Sequence, residues 1–442
     1  MENIVIIGNG ITGITAARHI RKLSDNNITV ISSESKYFYS RTALMYLYMG
    51  HEKFENIKPY EDWFWEKNRI DLIQDYVTNI DIENKKVNLA GGLVVSYDKL
   101  IIATGSKPNK FGWKGQDLAG VQGLYSIQDL DLMENNTKNI CNAVIVGGGL
   151  IGIEMAEMLC SRNIPVTFLV RESSYWNSIL PDEESQIIND HMRAHGIDLK
   201  LSTGLKEIIS DDNGKVKAVI TDKDEEIKCN FVGLTAGVSP NIDIVKNTEV
   251  ETGRGIIVNE FFETNVSNVY AAGDCAEIKA DDDSKNRIEQ LWYTGRMHGE
   301  ALAQTICGRK IKYERGILFN SAKFLDIEYQ TYGLVNLKIP DEKNFYWESD
   351  DRMHSIRIVY KDDGVIGFNL LGIRFRHEVC KRWIIDKKNI EYVLENLGEA
   401  NFDPEFFKQY ENKVIELYNI QNPGKNLTLK KKRGLFKILR AV

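Results

Sequence analysis

Short blocks of apolar and β-branched residues recur along much of the chain, each followed by glycine and a stretch with helical spacing. Asn3–Ile7 is the first block. Gly8-Asn9-Gly10-Ile11-Thr12-Gly13 follows it, a helix is expected through about Leu23, and Ile28–Ile31 is the next strand. The arrangement returns at Ala143–Val146, followed by Gly147-Gly148-Gly149-Leu150-Ile151-Gly152, a helix to about Arg162, and a strand at Val166–Val170. Lys99–Thr104 and Val269–Ala272 read as two more buried strands, ending at Gly105 and Gly273. Strands that alternate with helices predict parallel sheets covered on both faces. Two such units, about 140 residues apart, predict two dinucleotide folds.

From about Ile311 the texture changes. Lys323–Tyr332 and His354–Tyr360 alternate apolar and polar residues, as half-buried antiparallel strands do. Asp362-Asp363-Gly364 has the chemistry of a hairpin turn. A helical, acidic and aromatic stretch follows from about Ile390 to Ile420, which together predicts a separate α+β domain.

The glycine runs carry the first chemistry. Gly8 permits a tight turn after the strand, Gly10 leaves room for a pyrophosphate, and Gly13 lets helix and strand pack closely. The helix N-terminus then offers N–H groups and a favourable dipole to phosphate. An acid about 20 residues on would bind a ribose, and Glu34 lies 21 past Gly13. In the second run Gly147, Gly149 and Gly152 repeat this logic, but Arg171 stands close to the acid slot. An arginine there would meet the 2′-phosphate of NADPH; a solvated surface arginine reads equally well.

Charge and cysteine use narrow the picture further. With 442 residues and 27% charged positions, the chain is sized for two to three soluble domains. A net charge of −7 provides no field for nucleic acid. The opening MENIVIIGNG enters a strand at once, so no signal peptide is expected, and no apolar run reaches the ~20 residues of a membrane span. The six cysteines show no metal-ligand or CxxC spacing, which suits a cytoplasmic protein and predicts no metal centre.

Four segments together resemble the FAD-dependent pyridine nucleotide–disulfide oxidoreductases: Gly8–Gly13, Tyr97–Pro108, Gly147–Glu154 and Thr264–Cys275. The resemblance implies an α/β fold with two Rossmann-like domains. An FAD domain (1–112 and 254–312) would be split by an inserted NAD(P) domain (113–253), with a C-terminal α+β domain at 313–420 that in relatives often forms a dimer. It also implies that Asp274, after Gly273, bonds the ribityl or phosphate part of FAD, with Thr104 and Gly105 also against the cofactor.

The stretch Tyr39-Ser40-Arg41-Thr42-Ala43-Leu44 holds no cysteine, where disulfide reductases of this superfamily carry their redox pair. It is similar instead to the Y-x-R-P-x-L-S-K segment of ferredoxin and rubredoxin reductases and of the flavin part of nitrite reductases. Arg41 would then lie against FAD. Thr42 stands where those relatives have proline, and Tyr46 where they have a lysine that pairs with the glutamate of the second glycine motif, here Glu154. Without that lysine, Glu154 would sit near the nicotinamide as an acid open to a burial-raised pKa. Trp292 and His298-Gly299 resemble the W-x-x-A-x-x-Q-G stretch near the flavin pyrimidine, with His298 in place of glutamine. Leu371–Glu378 reads as a charged surface face or as a docking site for an acidic partner.

The implied activity is an NAD(P)H oxidoreductase. Hydride passes from NAD(P)H to FAD, and electrons pass to an external acceptor, a small redox protein of the ferredoxin or rubredoxin kind. A quinone reductase and a slow NAD(P)H-sensing flavoprotein stay open as alternatives. Gln421–Val442 carries seven basic residues and no acid, so the rest of the chain is −14 against the overall −7. Leu435, Phe436, Ile438, Leu439 and Val442 share a helical face. That tail reads as a peripheral membrane contact, as a hold for an acidic partner, or as a segment with no role.

Overall fold

The computed structural model describes residues 1–280, 285–402, 405–406 and 408–430. The chain divides into two compact units. Met1–Arg171 and Gly196–Arg315 form the first; Glu172–His195 and Gly316–Val442 form the second.

The first unit holds two five-stranded parallel sheets, with smaller sheets of two or three strands beside them. One has the order Val269–Ala271, Lys99–Ile102, Asn3–Ile7, Asn27–Ser32, Ile70–Gln74, every pair parallel. Its central strands are apolar on both faces, and Ile4, Val5, Ile6, Leu100, Ile101 and Ile102 are all buried. Helix Ile11–Leu23 covers it and packs closely against helix Trp292–Ile306. Glycine permits that approach: a Cβ at Gly299 would sit 2.6 Å from the Thr12 carbonyl oxygen. The other sheet runs Asp198–Lys200, Val166–Leu169, Ala143–Val146, Phe231–Leu234, Val121–Gln122, again wholly parallel.

The second unit is an antiparallel sheet with helices on it. Its order is Phe319–Phe324, Ile327–Gly333, Gly364–Leu371, Ser355–Lys361, Lys343–Glu348. Asp362 and Asp363 both have positive φ, 49° and 63°, and make the expected tight hairpin. Two expectations need correction. The run Lys323–Tyr332 is two strands, because Leu325 at φ 58° turns the chain between Phe324 and Ile327. Ser355–Val359 is buried throughout rather than on alternate positions. Helix Asp182–Ala194, drawn from the middle of the chain, belongs to this unit and accounts for that burial. Its Glu184, wholly buried, accepts hydrogen bonds from Arg357 Nε and Nη2, both at 2.8 Å, and from Asn369 at 3.2 Å.

The stretch from Ile390 is three helices, Ile390–Glu395, Leu397–Ala400 and Glu411–Gln421, which with His377–Ile385 bury Trp383. Within Leu371–Glu378, Phe375 is buried and Arg374 is held by Glu328 in a two-pronged ion pair. At the start of the basic tail, Lys425 and Lys430 pair with Glu391 and Glu395 at 3.0 and 2.7 Å. The apolar face from Leu435 to Val442 lies outside the described residues. Among the described residues no helix is long and apolar enough to cross a membrane.

Candidate active site

Each glycine does a distinct steric job in the first loop. Gly8 has φ +110°, and a Cβ there would stand 2.1 Å from the Ala103 carbonyl oxygen. One at Gly13 would stand 2.0 Å from the Gly8 oxygen, whereas one at Gly10 would meet nothing within 4 Å. The second loop repeats the pattern. Gly147 (φ +121°) and Gly152 are crowded, at 2.6 Å from Thr235 and 2.5 Å from the Gly147 oxygen, and Gly149 faces open space. In each loop the open glycine is the N-cap of a helix, Ile11–Leu23 or Leu150–Ser161. This is the geometry of a phosphate cradle.

The first cradle opens into a cavity of about 580 Å³, lined by Gly8, Gly10, Glu34, Arg41, Thr104 and Ser106 among others. Its size suits a large cofactor. Glu34 and Arg41, both expected to face FAD, also meet each other: Arg41 Nη2 lies 2.6 Å from Glu34 Oε2 and Nη1 3.0 Å from Oε1. Tyr39 donates its hydroxyl to Glu34, and Ile127 N–H donates to Oε1 at 3.0 Å. Burial pushes the Glu34 carboxyl up, but Arg41, Tyr39 and the Ile127 N–H outweigh it and hold the carboxyl below its ordinary value. Arg41 also stacks over the Tyr125 ring, 4.5 Å from its centre.

Ile127 is in place because its helix, Ile127–Asn136, begins with a capping box. Asp129 N–H donates to Ser126 Oγ at 3.2 Å, and Ser126 N–H to the Asp129 carboxylate at 2.9 Å. Ser126→Ala is expected to cost about 1 kcal/mol of stability, measurable as a fall in denaturation midpoint.

Asp274 sits in a short turn, Gly273–Cys275, at the end of strand Val269–Ala271. Its Oδ2 accepts from the Ser106 hydroxyl at 3.0 Å, and Gln290 donates to the same hydroxyl oxygen at 2.8 Å. Burial pushes the Asp274 carboxyl up, opposed by the Ser106 hydroxyl and the charge of Arg41. Behind it, His298 Nδ1 accepts the Gly273 N–H at 3.1 Å. Its Nε2 is therefore the protonated nitrogen of the neutral ring and donates to Glu289 at 3.2 Å. Tyr313 donates to Glu289 at 2.7 Å. The histidine in the glutamine position thus anchors the turn that carries Asp274. Thr104 donates to the Asn241 carbonyl at 2.6 Å, and Gly105 (φ +70°) lies under the Tyr125 hydroxyl.

Two smaller cavities share lining residues with the first. One is lined by Gly10, Phe38, Tyr39, Arg41 and Trp292. The other is lined by Arg41, Thr42, Tyr125, Ile151 and Glu154. Glu154 keeps some solvent contact, yet burial, with a push from Glu157, raises its carboxyl to about 7. Tyr46, in the lysine position of relatives, stacks on His51. Arg171 is exposed just past the buried Val170. Tyr125, Gln290 and Ile127 carry no motif that marks them in the sequence, whereas Ser106 lies within the Tyr97–Pro108 segment without having been singled out. Tyr39, in the Y-x-R segment, could have been found there. None of the six cysteines lines these three cavities, and Cys275 is wholly buried with its thiol pushed up by that burial.

Comparison with known proteins agrees with this geometry. The description "Pyridine nucleotide-disulphide oxidoreductase" matches residues 2–299. The chain is 29% identical over 398 residues to the NADH-rubredoxin oxidoreductase of Clostridium acetobutylicum, covering 89% of this chain and 99% of that one. It is 27% identical over 376 residues to a nitrite reductase [NAD(P)H] of Bacillus subtilis, covering 84% of this chain but only 46% of that one. The chain thus spans about half the length of that relative. A ferredoxin reductase from Rhodopseudomonas palustris shares the fold, with a TM-score of 0.78 at 20% identity over 94% of this chain and 100% of that one. With two glycine cradles, an acid–hydroxyl turn at Asp274 and a matched region covering both, the chain belongs to the pyridine nucleotide-disulphide oxidoreductase family, whose cofactors are FAD and NAD(P)H.

Proposed function

We propose that this chain takes hydride from NADH or NADPH onto FAD and passes the electrons to an external acceptor, a small redox protein of the rubredoxin or ferredoxin class. One observation carries the reading. Arg41 lines the cavity of the first glycine cradle, the cavity at Trp292, and the cavity that reaches Glu154 on the helix of the second cradle. A single side chain therefore borders both the first glycine loop and the helix that follows the second, which supports transfer between two cofactors held there.

When bound, FAD supplies the step between a two-electron donor and a one-electron acceptor. The chain's residues supply position and charge. Gly10 and Gly149 leave room for pyrophosphate at helix N-termini. Glu34 would take the ribose, and Asp274, steadied by Ser106, the ribityl or phosphate part. Arg41 would place its positive charge along the flavin, and Trp292 would flank it. Glu154 would hold a proton beside the nicotinamide. The names of the Clostridium and Rhodopseudomonas proteins support the acceptor class. The lack of a thiol lining these cavities, among the described residues, speaks against a disulfide relay.

The test is an anaerobic titration of the purified flavoprotein with NADH and NADPH, followed by rubredoxin, ferredoxin or a quinone. Bleaching by a nucleotide and rapid re-oxidation by one of the proteins is the expected result. A flavin that neither nucleotide bleaches sinks the proposal; re-oxidation by quinone alone replaces the acceptor. Arg171→Ala separates the nucleotides. It is expected to raise KM for NADPH roughly tenfold and leave NADH unchanged, the loss of one charge-assisted hydrogen bond.

A further inference from the structure

The second unit holds a cluster that the flavin chemistry does not use. His191 and His195 are one turn apart at the C-terminal end of helix Asp182–Ala194, in the spacing H-x-x-x-H. Asp326 lies in the turn between strands Phe319–Phe324 and Ile327–Gly333. One ligating atom from each residue lies within 4.8 Å of the other two. His191 Nε2 is in short contact with Asp326 Oδ1, and His195 Nε2 is 3.6 Å from the same oxygen.

The His195 ring is oriented by the backbone of its own helix. His195 Nδ1 is 3.0 Å from the His191 carbonyl oxygen. A carbonyl only accepts, so Nδ1 carries the hydrogen and, in the neutral ring, Nε2 presents a lone pair. That lone pair faces a carboxylate oxygen already engaged by a second imidazole. A cation between them would turn the repulsion into coordination. A ring held by a backbone carbonyl through one nitrogen, with the other free to bind, is also how metal-ligating histidines are oriented. Arg193 and Arg352, the arginines of this helix and of a neighbouring turn, point to Asp190 instead, at 3.6 and 2.7 Å.

We propose that His191, His195 and Asp326 bind a borderline divalent cation of the Zn²⁺ class. Two imidazoles and a carboxylate are a zinc-type donor set. Tetrahedral bonds of about 2.0–2.1 Å place ligand atoms about 3.3 Å apart; His195 Nε2 and Asp326 Oδ1, 3.6 Å apart, stand near that separation, and a side-chain rotation of the exposed Asp326 would open its short contact with His191 to the same span. His191 is buried, while Asp326 is 62% exposed, so the fourth position opens to water. The ion would clip helix Asp182–Ala194 to the first hairpin of the sheet it covers, tying a segment from mid-chain into the C-terminal unit.

Zinc chloride titrated calorimetrically into the tag-free, EDTA-treated, FAD-loaded chain tests this. One equivalent of Zn²⁺ is expected to bind and to raise the thermal midpoint. Removing an outer-shell partner alone costs a metal site roughly ten- to a hundredfold in affinity. His195→Gln and Asp326→Asn, each removing a ligand, should therefore each weaken binding by at least about tenfold, with flavin content unchanged. Either variant suffices if the other folds poorly. Absence of a zinc heat, or zinc binding that both variants leave intact, overturns the assignment.

Discussion

Gly8→Ala is expected to cost both the flavin and much of the fold's stability, whereas Gly10→Ala is expected to cost the flavin alone. The difference lies in what a methyl group would meet. At Gly8 the backbone has φ +110°, which side-chain-bearing residues rarely adopt, and the Cβ would stand 2.1 Å from the Ala103 carbonyl oxygen. Backbone strain of about 1–3 kcal/mol adds to an overpacking cost of about 1–3 kcal/mol. The chain should lose roughly 2–6 kcal/mol as the turn after strand Asn3–Ile7 moves off Ala103. At Gly10 nothing in the chain lies within 4 Å, so an added methyl should leave the denaturation midpoint within about 1 kcal/mol of its starting value, the usual Gly-to-Ala range. The same methyl would occupy the space left for pyrophosphate and weaken FAD by about 1–3 kcal/mol, a factor of roughly 5 to 150. Urea denaturation paired with flavin occupancy reads both effects. A Gly10→Ala protein that retains FAD as firmly as the parent would place the pyrophosphate elsewhere.

Glu154→Gln is expected to flatten the pH dependence of both stability and nucleotide-driven flavin reduction. Burial raises this carboxyl to about 7. In the unfolded chain it titrates near its ordinary value of about 4.3. Between those values the folded protein holds a proton that the unfolded chain has released. The stabilising contribution is therefore complete below the unfolded value and is lost as pH rises through about 7. Above that, ionised Glu154 costs roughly 4 kcal/mol, from about 1.4 kcal/mol per pKa unit. At pH 8 the glutamine variant should be the more stable by up to about that amount; at pH 4 the two should agree. Equal differences in urea midpoint at both pH values would remove Glu154 as the titrating group. Flavin reduction by the preferred nucleotide should show an inflection near pH 7 that the variant lacks.

The glycine loops were legible because their constraint is local. A tight turn and a close helix–strand contact exclude any Cβ, so Gly8, Gly13, Gly147 and Gly152 announce themselves by type and spacing. The strand blocks beside them were legible for a similar reason: strands of a parallel sheet covered on both faces are apolar on both. Lys323–Tyr332 misled because the positive φ of Leu325 reverses the chain without a glycine to mark the turn. Ser355–Val359 misled because Arg357 and Ser355 look solvent-facing until a helix from elsewhere in the chain covers them.

The residues alone revealed what a short segment can carry: two glycine loops that each open a helix, an acid at Glu34, the Gly273-Asp274 turn and a Tyr39–Leu44 segment without a thiol. Folding alone settles which distant residues those segments meet. Arg41 finds Glu34 and Tyr125; Asp274 finds Ser106; Gly273 finds His298 and, through it, Glu289. Helix Asp182–Ala194 leaves the domain that surrounds it in sequence and joins the C-terminal sheet, bringing His191 and His195 to Asp326. Such partners are set by burial, which desolvates a charge and makes a matching group necessary wherever the chain can bring one. No local pattern records where that group will come from.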